Sequence, residues 1–235
     1  MKKPALFFSF LLSFFFSPFL FGQPEVLHIL ELKRSYDLLH YLQVLNSEDK
    51  LVLSDVMEPA RQHQFVPYQT FIDEHYPGGK KSKHGSLETG SVCWGKIQLV
   101  NTLPPNCPIE DWLLFLGRSK RTTVYVVNSG GMVVDSMLAG FLVPASQKGF
   151  NFGNLREDRV KLNLSPEDTV TLFIKMQVHW KWVPWKNIRL TTEDYYHNWK
   201  FVIQTQKDWM FIGFLLTFIF FSLLLFLAAR SCTAT

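Results

Sequence analysis

Cysteine is scarce in this chain, at positions 93, 107 and 232 only. That excludes a disulfide-stapled scaffold and zinc modules built on paired Cys-x-x-Cys clusters. A Gly-x-Ser-x-Gly elbow and a Gly-rich phosphate loop are missing too, so neither a hydrolase nucleophile nor a nucleotide cradle is readable. No long helix of 3.6-residue period is visible before Trp209, and no internal repeat recurs. Excess charge is also missing from most of the chain. The formal +4 is an end effect: Lys2, Lys3 and Arg230 lie outside residues 23–208, and all 20 acids lie inside them. A near-neutral stretch offers no basic face, which argues against nucleic acid as a partner.

What the chain does have is a long apolar run. Residues 209–229 (WMFIGFLLTFIFFSLLLFLAA) carry no charge, and only Gly213, Thr217 and Ser222 soften them. At a helical rise these residues reach about 32 Å, the thickness of a hydrocarbon core. Lys207 and Asp208 stop the run on one side and Arg230 on the other. Trp209 stands where an interfacial anchor is expected. The expectation is a transmembrane helix over 209–229 and a short cytoplasmic tail over 230–235.

At the other end, Lys2 and Lys3 precede a Phe- and Leu-rich stretch that Pro18 breaks, with Gly22 before Gln23. This predicts a secretory signal peptide over 1–22; the competing reading is an uncleaved anchor helix. Both readings put residues 23–208 outside the cytoplasm, because Lys2, Lys3 and Arg230 stay inside. The expected location is the inner membrane, single-pass, with the N-terminal domain in the periplasm or outside.

Between the two lies a succession of short strands. Val26–Lys33 alternates, with Leu27 and Ile29 set against Val26 and His28. Tyr36–Leu45 is irregularly apolar and predicts a helical turn, and Asn46–Lys50 a polar loop. Ser54-Asp55 looks like the cap of a short turn over Val56–Arg61. Residues 77–90 (PGGKKSKHGSLETG) read as a solvated loop. Strands are then expected at Val92–Asn101, Trp112–Leu116, Thr122–Val127, Met132–Asp135, Arg159–Asn163 and Thr169–Met176. Asn128-Ser129-Gly130-Gly131 makes a hairpin and Leu164–Asp168 a turn. Their spacing predicts an all-β antiparallel sandwich over 23–178, followed by a juxtamembrane segment over 179–208. Within it Cys93 and Cys107 are expected as free thiols. Eight strand residues from Cys93 to Asn101 cover roughly 26 Å, well beyond disulfide reach.

These strands carry a resemblance. Trp94–Asn101 (WGKIQLVN), Trp112–Leu116 (WLLFL) and Val124–Val127 (VYVV) before the glycine hairpin are similar to strands in one class of bacterial ectodomain. That class is the seven-transmembrane receptors with diverse intracellular signalling modules. Gly140–Pro144, Thr169–Met176 and the run from Phe201 into the span continue the likeness, over roughly Val26–Ala229. The resemblance implies a jelly-roll-like sandwich ectodomain similar to carbohydrate-binding modules, serving as a ligand sensor, followed by a transmembrane α-helix. It carries over no catalytic residue. Such receptors continue through six more helices to an output domain. The sequence ends at Thr235, so a truncated member is the simpler expectation, and an output borrowed from a signalling partner protein the other.

Chemistry is thin. The seven histidines are scattered; His75 and His84 bracket the Lys-rich loop, but no third ligand is evident, and neither metal nor cofactor is expected. Asn163-Leu164-Ser165 is a glycosylation sequon. One constellation stands out, His179-Trp180-Lys181-Trp182-Val183-Pro184-Trp185-Lys186-Asn187. In an extended segment Trp180 and Trp182 share a face, and flat indoles can stack on sugar rings while Asn187 and Lys186 reach hydroxyls. Trp180, Trp182, Trp185 and Asn187 are therefore the candidate ligand residues. The alternative is that these tryptophans pack a sandwich edge or sit at the membrane interface.

The first functional expectation is a membrane-anchored extracytoplasmic sensor or binding module for a carbohydrate or another small ligand, without enzymatic activity. The alternatives are a surface hydrolase held by its anchor, or a structural membrane protein presenting the sandwich. No motif supplies nucleophile, base and orienter together.

Overall fold

The computed structural model describes residues 25–31, 35–47, 51–76, 91–107, 111–117, 119–148, 158–178, 184–185 and 187–232. The expected signal peptide, the 77–90 loop with His84, Trp180, Trp182 and residues 233–235 lie outside them. The elements in chain order are β1 (Leu27–Ile29), β2 (Tyr36–Asp37), β3 (Gln43–Ser47), α1 (Leu53–Met57), α2 (Pro59–Gln62), β4 (Val66–Pro67) and α3 (Tyr68–His75). There follow β5 (Val92–Asn101), β6 (Trp112–Gly117), β7 (Arg121–Asn128), β8 (Val133–Ala139), a 3-10 turn (Ala145–Gln147), β9 (Asp158–Leu162), β10 (Thr169–Gln177), β11 (Arg189–Thr192) and α4 (Glu193–Cys232).

Two sheets result. The larger runs β4-β3-β5-β10-β7-β8, and the smaller runs β2-β11-β6-β9. β5 is the spine of the larger sheet. Its side chains alternate along the strand, with Ile97 and Leu99 buried and Lys96, Gln98 and Val100 half-buried. One of its edges bonds β10 throughout, and the other is shared between β3 and β1. The β1–β5 pairing is parallel, a departure from the antiparallel expectation; the other pairings among the described residues are antiparallel.

Both sheets feed one apolar core. Val44, Cys93, Ile97, Leu99, Val124 and Leu172 from the larger sheet meet Trp112, Leu114, Leu116, Val160, Leu162 and Leu190 from the smaller. β6 reads as continuously apolar because both of its faces are covered. Trp112, Leu114 and Leu116 enter the shared core, while Leu113 and Phe115 pack against Tyr196 on the opposite face. Asn101, which ends β5, is buried and satisfied. Its Nδ2 donates to the carbonyls of Leu164 (3.1 Å) and Ser165 (2.9 Å), and its Oδ1 accepts from the Leu103 N–H. The Asn at the end of the WGKIQLVN motif thus fixes the turn after β9.

Gly140 makes a corner after β8 at φ 121°, where a Cβ would stand 2.5 Å from the Lys120 carbonyl oxygen. Only glycine fits that approach.

Several expectations are corrected. Tyr36–Leu45 is not a helical turn: it spans β2, a turn, and the start of β3. Its apolar pattern is irregular because Leu38 and Leu42 fill the core from the turn, while adjacent Val44 and Leu45 point into different clusters. The polar loop begins later than Asn46, since Asn46 and Ser47 end β3. Near Ser54-Asp55 the helix starts at Leu53, and the Asp55 carboxylate accepts the Val52 N–H at 3.0 Å. Helix α3 is absent from the expectations, although Tyr68, Phe71 and Ile72 give it a buried face at helical spacing. The sheet domain continues past residue 178 to Thr192, because β11 inserts between β2 and β6. The C-terminal helix begins at Glu193 rather than Trp209. Cys93 and Cys107 are free thiols, as expected.

Candidate functional site

Of the four candidate ligand residues, the structure describes two and separates them. Trp185 is buried (1% exposed) in the shared core. Its ring lies against Gly95, where an added Cβ would come within 3.3 Å of the indole Cζ2. Tyr68 Oη donates to the neighbouring Pro184 carbonyl at 3.0 Å, and the Ile188 N–H closes a turn onto the Trp185 carbonyl. Trp185 holds φ at 53°, a strained value for a bulky residue, and only its packing can enforce that. The expectation that Trp185 offers a stacking face is therefore corrected: the ring fills a core slot that Gly95 leaves open. Asn187 is exposed.

The join between sheet and helix has a definite build. β11 ends at Thr192 and α4 begins at the next residue, with no loop between. Thr192 Oγ1 accepts the Tyr195 N–H at 3.2 Å, a cap over the first turn, where Glu193 and Asp194 suit the helix dipole. The Glu193 N–H donates to the Asp111 carbonyl at 2.9 Å. Lys161 pairs with Asp111 and lies 3.6 Å from Glu193. The hydrogen bond to Asp111, with both carboxylates, holds the lysine above its usual range. Tyr196 packs on Phe115 at 5.3 Å between centroids. The Arg159 guanidinium stands 4.7 Å from the Tyr196 ring and 5.3 Å from Phe115, and Arg189 stands 4.4 Å from Phe115. Two cations over two aromatic rings clamp the first turn of α4 to the smaller sheet.

Beyond that turn the apolar side chains described up to Leu223 are largely exposed. Trp209, Met210, Phe211, Phe214, Phe218 and Phe221 are each more than 60% exposed. The helix is long and apolar enough to cross a membrane.

A second arrangement lies on the outer face of the larger sheet, opposite the shared core. Register places Trp94, Lys175 and Thr123 in one row across β5, β10 and β7, with Lys96, Phe173 and Tyr125 in the next and Gln98, Thr171 and Val127 in a third. Trp94 is buried on this face under a second apolar cluster in which Val56, Phe65, Leu51 and Met57 pack over Trp94, Phe173 and Val127; it lies 6.1 Å from Tyr125 in a near-parallel stack, and its Nε1 finds no acceptor among the described residues. Lys175 Nζ sits 5.3 Å from the Trp94 ring and donates to the Leu51 carbonyl at 3.0 Å. Lys96 Nζ donates to Gln62 Oε1 at 2.6 Å and lies 5.9 Å from the Phe65 ring. Burial lowers the Lys96 ammonium below its usual range. Neither lysine meets a carboxylate among the described residues. Sequence reading missed this face because its members come from three strands. The period-2 placement of Lys96 and Gln98 on β5, and of Thr171 and Lys175 on β10, was the available signal.

Other reactive groups are enclosed. Burial pushes the Cys93 thiol up to about 12, which keeps it protonated and not nucleophilic. Ser119, fully buried, donates through N–H and Oγ to Asp158 at 3.0 Å each, and Thr122 donates to Ser119 Oγ at 2.7 Å. A hydroxyl so enclosed ties its loop to β9 and admits no substrate. His75 bonds Asn46 and the Phe71 carbonyl. Among the described residues no three His, Cys, Asp or Glu gather to hold a metal. Comparison with models of known protein families gives no match, and comparison with curated proteins gives none either.

Proposed function

We propose that this chain is a membrane-anchored extracytoplasmic binding module of the sensory kind, a jelly-roll-like sandwich held outside the inner membrane by α4. The observation that carries the reading is the junction at Thr192–Glu193. A strand of the smaller sheet passes without a loop into a capped helix, clamped by Tyr196 and Arg159, whose apolar residues described from Trp209 to Leu223 are exposed. A helix so joined holds the domain at a bilayer and transmits displacement of β11 along its axis, as a flexible linker would not. The charge layout at both termini favours the domain outside. The resemblance to receptor ectodomains supports a sensory role, with a small ligand such as a carbohydrate outside and a signalling partner at the membrane.

Alkaline carbonate washing of cell membranes tests the anchor. The chain is expected to stay in the pellet; release into the supernatant overturns the reading.

A further inference from the structure

We infer that α4 pairs with the α4 of a second copy of this chain, in parallel, along one seam that begins outside the bilayer and runs into it. The inference adds a partner to the anchor proposed above and rests on that reading. Val202, Gln206, Trp209, Gly213, Leu216 and Phe220 follow one another at steps of four, three, four, three and four along a single unbroken helix. That is the period at which two helices supercoil and keep one face in contact. Within the span lipid covers any apolar residue, so the observation that points to a protein partner lies before it. Residues 193–208 extend about 24 Å between the sheet domain and the apolar run, and the Val202 backbone stands about 10 Å outside Trp209. Lipid tails end short of that height, yet Val202 is 51% exposed. The polar pairs of this stalk sit behind it. Gln204 donates to Asp208 at 3.1 Å and His197 lies 3.6 Å from Glu193, all roughly 120–180° round the helix from Val202. Tyr196, which packs on Phe115, is also about 120° round, so the clamp grips the helix from the side and leaves the seam clear. Gln206 selects the partner. A polar side chain in an apolar seam is matched, amide to amide, by the same residue of a parallel copy in register, and mismatched by an apolar residue. Two copies anchored in one bilayer with the same end inside are parallel by necessity. At Gly213 an added Cβ would meet nothing within 4 Å, so the backbone is bare and a second helix can approach closely.

Disulfide scanning of the full chain in cell membranes tests this. In a background of Cys107→Ser and Cys232→Ser, with buried Cys93 left in place, Val202→Cys and Gln206→Cys should each give a species of twice the chain mass on mild oxidation. Phe201→Cys and Gln204→Cys, on the flank and back of the helix, should give about a tenth as much. The unaltered chain supplies a second readout that no variant's folding can disturb: equilibrium sedimentation in detergent micelles should show a dimer. Gly213→Leu should weaken that dimer at least tenfold, and Phe218→Leu, on the side of the span away from the seam, should leave it intact. Equal cross-linking at all four positions, none at positions 202 and 206, or a cross-linked species of another mass overturns the inference. So does a monomer in micelles, or a Gly213→Leu chain that pairs as well as its parent. A chain that fails these tests yet stays in the carbonate pellet loses the second copy and keeps the anchor; a chain released by carbonate loses the anchor itself.

Discussion

Replacing Trp185 separates a packing tryptophan from a ligand-stacking one, and the size of the effect follows from its surroundings. The ring is buried, and truncating a core Trp to Ala costs about 3–5 kcal/mol. Its Nε1 has no acceptor among the described residues, so removing the N–H returns about 1–3 kcal/mol of desolvation penalty. The net loss for Trp185→Ala is about 2 kcal/mol, or about 4–8 °C in Tm for a domain of this size. Trp185→Phe keeps most of the apolar volume and discards the buried donor, so it should lie within about 1 kcal/mol of the parent. Trp185→Gly leaves a void larger than Ala does by the Cβ alone but relieves the positive φ, worth about 1 kcal/mol, and should melt slightly above the Ala variant. Thermal melts followed by near-ultraviolet circular dichroism give the order Phe, Gly, Ala. An Ala variant that melts with the parent, or above the Phe variant, refutes the assignment of Trp185 to the core.

Gly140→Ala forces a Cβ against the Lys120 backbone at an unfavourable φ and should cost about 2–4 kcal/mol, read as a lower denaturation midpoint in urea. Burial raises the Asp158 carboxyl above its ordinary 3.8 despite the Ser119 bonds, so the folded chain holds a proton that the unfolded chain has released. Stability should therefore fall as pH rises from about 3.8 through the raised value, and Asp158→Asn should flatten that slope in melts across pH 4–7. Cys93, held up to about 12 against an ordinary 9.0, should resist a thiol reagent at pH 8 that modifies half-buried Cys107, as mass spectrometry of labelled peptides can show. Faster labelling of Cys93 than of Cys107 contradicts its burial.

The long strands were legible because each carries its own period. β5 coincides with the run read from Val92 to Asn101, and β10 with Thr169–Met176 plus one residue. The apolar C-terminal run was legible because nothing charged interrupts it. What failed was short and dependent on partners. β11 has four residues and β2 has two, and each exists as a strand only through pairing within the smaller sheet. The Thr192 cap and the Tyr196 clamp hide in a stretch that reads as a polar and aromatic lead-in to the span. Trp185 resembled an exposed aromatic because its slot is created by Gly95, ninety positions earlier, a vacancy that no local pattern announces. The cluster on the outer face of the larger sheet is spread in the same way over β5, β7 and β10.

Sided thiol labelling of intact cells tests the central claim most directly. Ser136→Cys places a thiol at an exposed position of β8, and Cys232 lies at the far end of α4. A membrane-impermeant maleimide should label the thiol introduced on β8 in intact cells and reach Cys232 only after the membrane is opened. Labelling of Cys232 from outside, with the β8 thiol protected until lysis, contradicts the account.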